Sequence, residues 1–278
     1  MRRTVRGRRS VLALCQTAIM TRAAAPVTYA RPSSGSRRAG PRAARKTGEN
    51  LMAVIATPFA TKTSFPDIHY PTSDGRPMGE TDLHRGVMVA AIDTLKMYYA
   101  AQSVYVSGNI LLYYRPGNKR RHVSPDVMVV KGLQQRDRDN YLLWEEGKAP
   151  NVVIEVTSES TRDEDLQDKF EIYRDEIGVA EYFLFDPQAE YLNPSLQGHR
   201  LSRGRYQPVA PVAGRLPSKE LGLHLQADGR RLRFYDPAAK RWLLTPQEVC
   251  REKDAALEQK DAEIQRLRQE LAALRRRP

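Results

Sequence analysis

Cysteine is nearly absent from this 278-residue chain, which has only Cys15 and Cys250. One lies near each end, so neither a disulfide framework nor a cysteine-based zinc centre is available, and a reducing, cytoplasmic setting is expected. Acidic residues are missing altogether from residues 1–48, a stretch that carries twelve Arg or Lys. The formal charge of +12 therefore belongs to that leading segment, because the other 33 basic side chains balance the 33 acidic ones. The basic balance accordingly says little about whether the folded part attracts nucleic acid. Long apolar runs are lacking too. The most apolar early stretch, Val11 to Ala30, is broken by Gln16, Thr17 and Arg22, and a membrane span needs about 20 apolar residues. No transmembrane helix is expected.

With 41% hydrophobic residues the chain can bury a sizeable core. Residues 1–50, rich in Arg, Ala, Ser and Pro and without hydrophobic periodicity, read as a disordered basic tail. Such a tail fits an organelle transit peptide, a basic arm for nucleic acid, or a stretch upstream of the true start, since Met52 opens a segment of ordinary composition. Residues 51–247 read as one domain, and 248–278 as a coiled-coil helix.

From Thr81 to about Ala100 apolar residues recur at helical spacing (Leu83, Val87, Ala90, Ala91, Leu95, Tyr98), with Thr81 as N-cap. Short runs of strand type follow at Ser103 to Val106, Ile110 to Tyr114, Val127 to Val130, Val152 to Val156 and Tyr182 to Phe185. Between the last two, Thr161 to Glu176 reads as a helix with Leu166, Phe170, Tyr173 and Ile177 on its apolar stripe and Gly178 as its stop. Hairpins are expected at His199 to Val209 and Leu232 to Trp242. Helices flanking strands place the fold in the α/β or α+β class, with a mixed central sheet. Near the end, Leu257, Ile264 and Leu271 are spaced by seven, as are Lys260, Leu267 and Leu274, which fits positions a and d of a short coiled coil or a solvated amphipathic helix.

Chemistry concentrates at three positions. Asp126 enters an apolar strand after Ser124-Pro125, and Glu155 stands in the middle of Asn151-Val-Val-Ile-Glu-Val-Thr157. Ionised carboxylates are almost never buried without a compensating cation or donor, because desolvation costs several kcal/mol. Two carboxylates on adjacent strands could share one hard divalent cation, Mg²⁺ or Mn²⁺, which prefers few carboxylates, several waters and phosphate oxygens. Lys169, three residues after Leu166 and four before Tyr173, projects from the apolar stripe of its helix rather than from the solvent face. Such a lysine either snorkels outward or meets a buried partner. Taken singly, the three are a turn aspartate, a sheet-face glutamate and a helix-surface lysine; taken in this order they point to phosphodiester hydrolysis. Tyr173 and Tyr182 read as core packing rather than as base-stacking aromatics. Lys119, Arg120, Arg121 and Arg162 are candidates for phosphate contacts.

The blocks Ser124-Pro-Asp-Val-Met-Val-Val130, Ala149-Pro-Asn-Val-Val-Ile-Glu-Val-Thr-Ser-Glu-Ser-Thr161, Asp168-Lys-Phe-Glu-Ile-Tyr173 and Gly178-Val-Ala-Glu-Tyr182 to Asp186-Pro187 resemble a large bacterial family, the Uma-type "putative restriction endonucleases". That family belongs to the PD-(D/E)XK nuclease superfamily, and the resemblance covers roughly Asp67 to Asp236. It implies a restriction-endonuclease-like sheet, metal ligation by Asp126 and Glu155, a catalytic lysine at Lys169 and DNA as substrate. Where the superfamily pattern has a lysine two residues after the second acid, this chain has Thr157. The family commonly supplies an upstream acid before the first helix; the corresponding stretch here, Gly79 to His84, departs from the usual spacing. Glu80, with His84 one turn later on the same face, is therefore a candidate additional acid, and a helix-capping role for Glu80 and Asp82 is the alternative. The resulting expectation is a Mg²⁺-dependent endonuclease acting as a homodimer paired through the C-terminal helix. The competing one is a nuclease-fold protein without activity that binds DNA or serves as a scaffold.

Overall fold

The computed structural model describes residues 69–73, 75, 81–158 and 163–275, all of them within the unit Thr57–Pro278. The basic tail, Glu80, Thr161 and Arg162 lie outside the described residues.

Helix α1 (Asp82–Tyr98) starts where expected: the Thr81 hydroxyl accepts the backbone N–H of His84 at 3.1 Å, satisfying one of the unpaired donors of a first turn. Its stripe of Val87, Met88, Ala91 and Leu95 is buried. That stripe lies against a six-stranded mixed sheet in the order β1-β4-β6-β7-β8-β9. The strands are β1 (Val104–Ser107), β4 (Val127–Lys131), β6 (Val152–Val156), β7 (Glu181–Phe185), β8 (Leu196–Ser202) and β9 (Arg205–Pro208). Between them in the chain, β2 (Leu112–Tyr113), β3 (His122–Val123) and β5 (Tyr141–Leu142) form a small three-stranded sheet, and a one-turn helix α2 (Leu143–Glu146) follows.

The central strands are buried on both faces, which is why they read as unbroken apolar runs. Side chains alternate along each strand. Val127, Val129, Val152, Ile154 and Val156 join α1 in one core, whereas Met128, Val130 and Val153 join Tyr173, Ile177 and Tyr182 in the other. Asp126 and Glu155 share the parity of the second set. The pairing of β6 with β7 is parallel, so the chain must cross over, and the crossover is helix α3, residues 164–177.

This helix departs from the regular winding that its stripe suggests. It runs as a π-helical segment Glu164–Asp168, an α-helical turn Lys169–Glu171 and a second π-helical segment Ile172–Ile177, and it ends on Gly178 in the left-handed conformation, φ 77. Wide turns of this kind recur at functional sites.

Beyond β9, β10 (Leu216–Ser218), β11 (Leu223–Asp228), β12 (Arg231–Asp236) and β13 (Arg241–Trp242) make a four-stranded antiparallel sheet. Leu216, Leu223, Leu225, Leu232 and Phe234 from it close the α1 side of the core. Helix α4 (Pro246–Arg275) ends the described chain and has no buried residue. No described helix is long and apolar enough to cross a membrane.

Candidate active site

Asp126 precedes β4 by one residue, and Glu155 is the fourth residue of β6. One step along the antiparallel ladder from the Val127–Ile154 pair, the Asp126 backbone N–H donates to Glu155 Oε2 at 3.2 Å. The Val156 N–H in turn donates to Asp126 Oδ2 at 2.7 Å. The two acids are thus tied to each other's strands and open on the same face. Gly108 lets its own segment pass close to the Asp126 backbone, since a Cβ there would sit 1.9 Å from the Asp126 carbonyl oxygen.

Helix α3 covers that face. Asp165, Lys169 and Tyr173 are spaced by four, so they share one side of the helix, and all three are buried. Lys169 Nζ lies 3.2 Å from Glu155 Oε2 and 2.9 Å from Asp165 Oδ1. The Tyr173 hydroxyl donates to Glu155 Oε1 at 2.6 Å. From α1, His84 Nε2 shares a hydrogen bond of 2.9 Å with Asp126 Oδ2.

Lys169 is 9% exposed, so it does not snorkel; its aliphatic stem runs inward along the stripe and its ammonium meets the acids. Burial opposes its charge, but Glu155, Asp165 and Asp126 together raise its pKa and keep it protonated. Burial also pushes Glu155 well above the ordinary carboxylate range, against the pull of Lys169, with repulsion from Asp126 and Asp165 adding to the rise. Asp126 goes the other way. Desolvation acts to raise it, yet the His84 hydrogen bond, the charge of Lys169 and the Val156 N–H hold it below the usual value. Two adjacent carboxylates pushed apart in this way are a recurrent feature of functional sites, where such environments are arranged to tune charge.

The donor set suits a hard cation. Asp126 Oδ2 is engaged twice, but Oδ1 takes no hydrogen bond among the described residues. Glu155 Oε1 carries only the tyrosine, leaving a lone pair. Two carboxylate oxygens on neighbouring strands match the sparse protein ligation of Mg²⁺, which keeps waters and takes phosphate oxygens. No group of three or more His, Cys, Asp or Glu side chains converges as metal ligands among the described residues.

An open cleft of about 820 Å³ runs past Lys169. Arg120, Arg121 and His122 from the β2–β3 turn line one side, and Glu164, Asp168, Glu171, Asp175 and Glu176 from α3 line another. Arg120 and Arg121 line this cleft together with Lys169, whereas Lys119 does not.

Three further residues meet the acids and the lysine. Tyr173 packs in the core, as its place on the apolar stripe implies, but its hydroxyl also ends on Glu155. Asp165 carries a detectable signal, a carboxylate four residues before an inward-facing lysine. His84 stands out in the sequence only as a neighbour of Glu80, and its contact with Asp126 spans 42 residues of sequence.

A family model described as "Putative restriction endonuclease", named Uma2, matches residues 63–231. Among solved structures, the crystal structure of a "putative nuclease belonging to DUF820" from Anabaena variabilis is 14% identical. The match covers 59% of this chain and 90% of that one, with a TM-score of 0.40. No curated protein matches. The family assignment rests on the family model, which spans more than half of the sequence and takes in Asp126, Glu155, Lys169 and the helix that buries them: the chain belongs to the Uma2 family of restriction-endonuclease-like proteins.

Proposed function

We propose that this protein is a nuclease that hydrolyses DNA phosphodiester bonds with a divalent cation, Mg²⁺ or Mn²⁺, held by Asp126 and Glu155. The single observation that carries the reading is the convergence of Asp126, Glu155 and Lys169, from two strands and a crossover helix, with Lys169 lining an open cleft. A bound cation of this kind supplies Lewis acidity and lowers the pKa of a coordinated water.

The chain's own groups prepare that chemistry. His84 and the Val156 N–H fix Asp126 Oδ2, which leaves Oδ1 to face the cation. Tyr173 fixes Glu155 through Oε1, the kind of outer contact that holds a ligand in one orientation. Lys169, permanently charged, offers a donor for the negative charge that builds on a phosphate during hydrolysis and for orienting a water beside it. Arg120 and Arg121 contact the phosphate backbone, which positions a strand without reading its sequence. Pairing of α4 between two copies would supply the dimer needed to cut both strands. Glu80, outside the described residues, is kept as a proposed further acid.

A plasmid-nicking assay in Mg²⁺ and Mn²⁺ tests the reading. Wild type nicks, and Asp126→Ala and Glu155→Gln, checked as folded by circular dichroism, lose activity by about 100-fold or more, as removal of charge-stabilising groups does. Absence of nicking and of calorimetric Mn²⁺ binding by the wild type at every salt concentration would sink it and favour a non-catalytic DNA-binding role.

A further inference from the structure

Helix α4 is 30 residues long, yet none of its residues is buried. Leu257, Ile264, Leu267, Leu271 and Leu274 are 45% to 62% exposed. Isolated helices are marginal in water, and a repeated apolar seam on one is an unfinished interface. The seam has the heptad repeat, with Leu257, Ile264 and Leu271 at a and Lys260, Leu267 and Leu274 at d. A 3.5-residue period calls for a partner helix, and the flanking charges say which way that partner runs.

Position g is occupied by Glu263 and Glu270, and position e by Asp261, Arg268 and Arg275, with Asp261 facing the uncharged Ala256 at the preceding g. In a parallel, in-register pair each g residue faces the e residue five positions later on the other helix. Glu263 then meets Arg268 of a second copy and Glu270 meets Arg275 of a second copy, giving four oppositely charged pairs in the symmetric dimer. In an antiparallel pair g faces g, which sets glutamate against glutamate. Ile264 at a with Leu267 at d also suits two parallel strands. Lys260 is the discordant layer; its stem packs while its ammonium reaches outward beside Asp261.

We infer that α4 joins a second copy of this chain as a parallel, in-register coiled coil over 257–275. The inference rests on the proposed pairing of this helix and adds its direction. It sets both nuclease domains at the same end of the coil, whereas an antiparallel pair would separate them by up to about 45 Å, the length of 30 helical residues.

Disulfide trapping in the full chain tests the direction, with Cys15→Ser and Cys250→Ser as background. The expected result is a dimer by light scattering, with Leu274→Cys and Leu257→Cys each forming a covalent dimer under mild oxidation and an equimolar mixture of the two forming no mixed dimer. A dimer that cross-links only between Leu257→Cys and Leu274→Cys overturns the parallel direction while leaving pairing intact. A monomer overturns the pairing itself, and nicking activity reads the nuclease proposal separately in either case. As a second readout, Glu263→Arg with Glu270→Arg weakens the homodimer, and mixing with an Arg268→Glu, Arg275→Glu chain restores a heterodimer.

Discussion

The Tyr173 hydroxyl points its proton at Oε1 of Glu155 across 2.6 Å, while its ring is wholly buried against Tyr182. One residue therefore serves the core and the site at once. Tyr173→Phe keeps the ring and removes the donor. A net hydrogen bond is worth about 1 kcal/mol, more when the acceptor is charged, so a modest drop in melting temperature is expected. Outer contacts of this kind tune affinity by about 10- to 100-fold, so Mn²⁺ binding measured by calorimetry weakens far more than the fold does. A melting temperature that falls with no change in Mn²⁺ affinity would show that Tyr173 only packs.

Lys169 neutralises two carboxylates that sit in the interior, Glu155 and Asp165. Lys169→Met preserves most of the stem and deletes the charge, leaving those acids without their counter-ion. Breaking a buried pair costs about 3 to 5 kcal/mol, so a clear loss of stability by denaturant melts is expected together with loss of nicking. The deficit shrinks as pH falls, because protonation relieves the uncompensated Glu155. Unchanged stability would mean that the ammonium holds neither acid.

Opposite shifts in Glu155 and Asp126 give the metal-free protein a defined pH response. Glu155 keeps its proton to higher pH in the folded state than in the unfolded chain, where its value is 4.5. The folded state therefore binds more protons above that value, and this group's contribution to stability declines as pH rises through the window up to the elevated folded value. Asp126 is depressed below 3.8, so its contribution is complete above that value and is lost as pH falls past it. Binding a cation requires ionised ligands and releases protons. Melts in EDTA and in Mg²⁺ should diverge increasingly as pH rises from 5 to 8; curves that stay parallel would contradict the assignment of Glu155 as a ligand.

Much of this arrangement is legible in the sequence because burial on two faces leaves a plain trace. The run Val152 to Val156 is apolar except for Glu155, and a carboxylate there has to answer for its desolvation. The stripe of Leu166, Phe170 and Tyr173 likewise betrays Lys169. Other features leave no such trace. A phenol on an apolar stripe looks the same whether its hydroxyl ends on a carboxylate or not, which hid Tyr173. The contact of His84 with Asp126 depends on how α1 crosses the sheet, a tertiary fact that no local spacing encodes. The π-helical winding of residues 164–177 escaped because an i, i+3, i+4 stripe does not distinguish it from regular helix. The antiparallel sheet β10–β13 shows only as turn-rich hairpins, without a sign of where it docks.

The arginines and carboxylates lining the cleft belong to different elements, and this gives the opening a sideways polarity. A polyanion entering it would be drawn toward the β2–β3 turn and repelled from α3, and so would sit off-centre in the opening. Added salt screens the attraction and the repulsion together. Under such conditions a strand would lose its preferred lane as well as some of its hold.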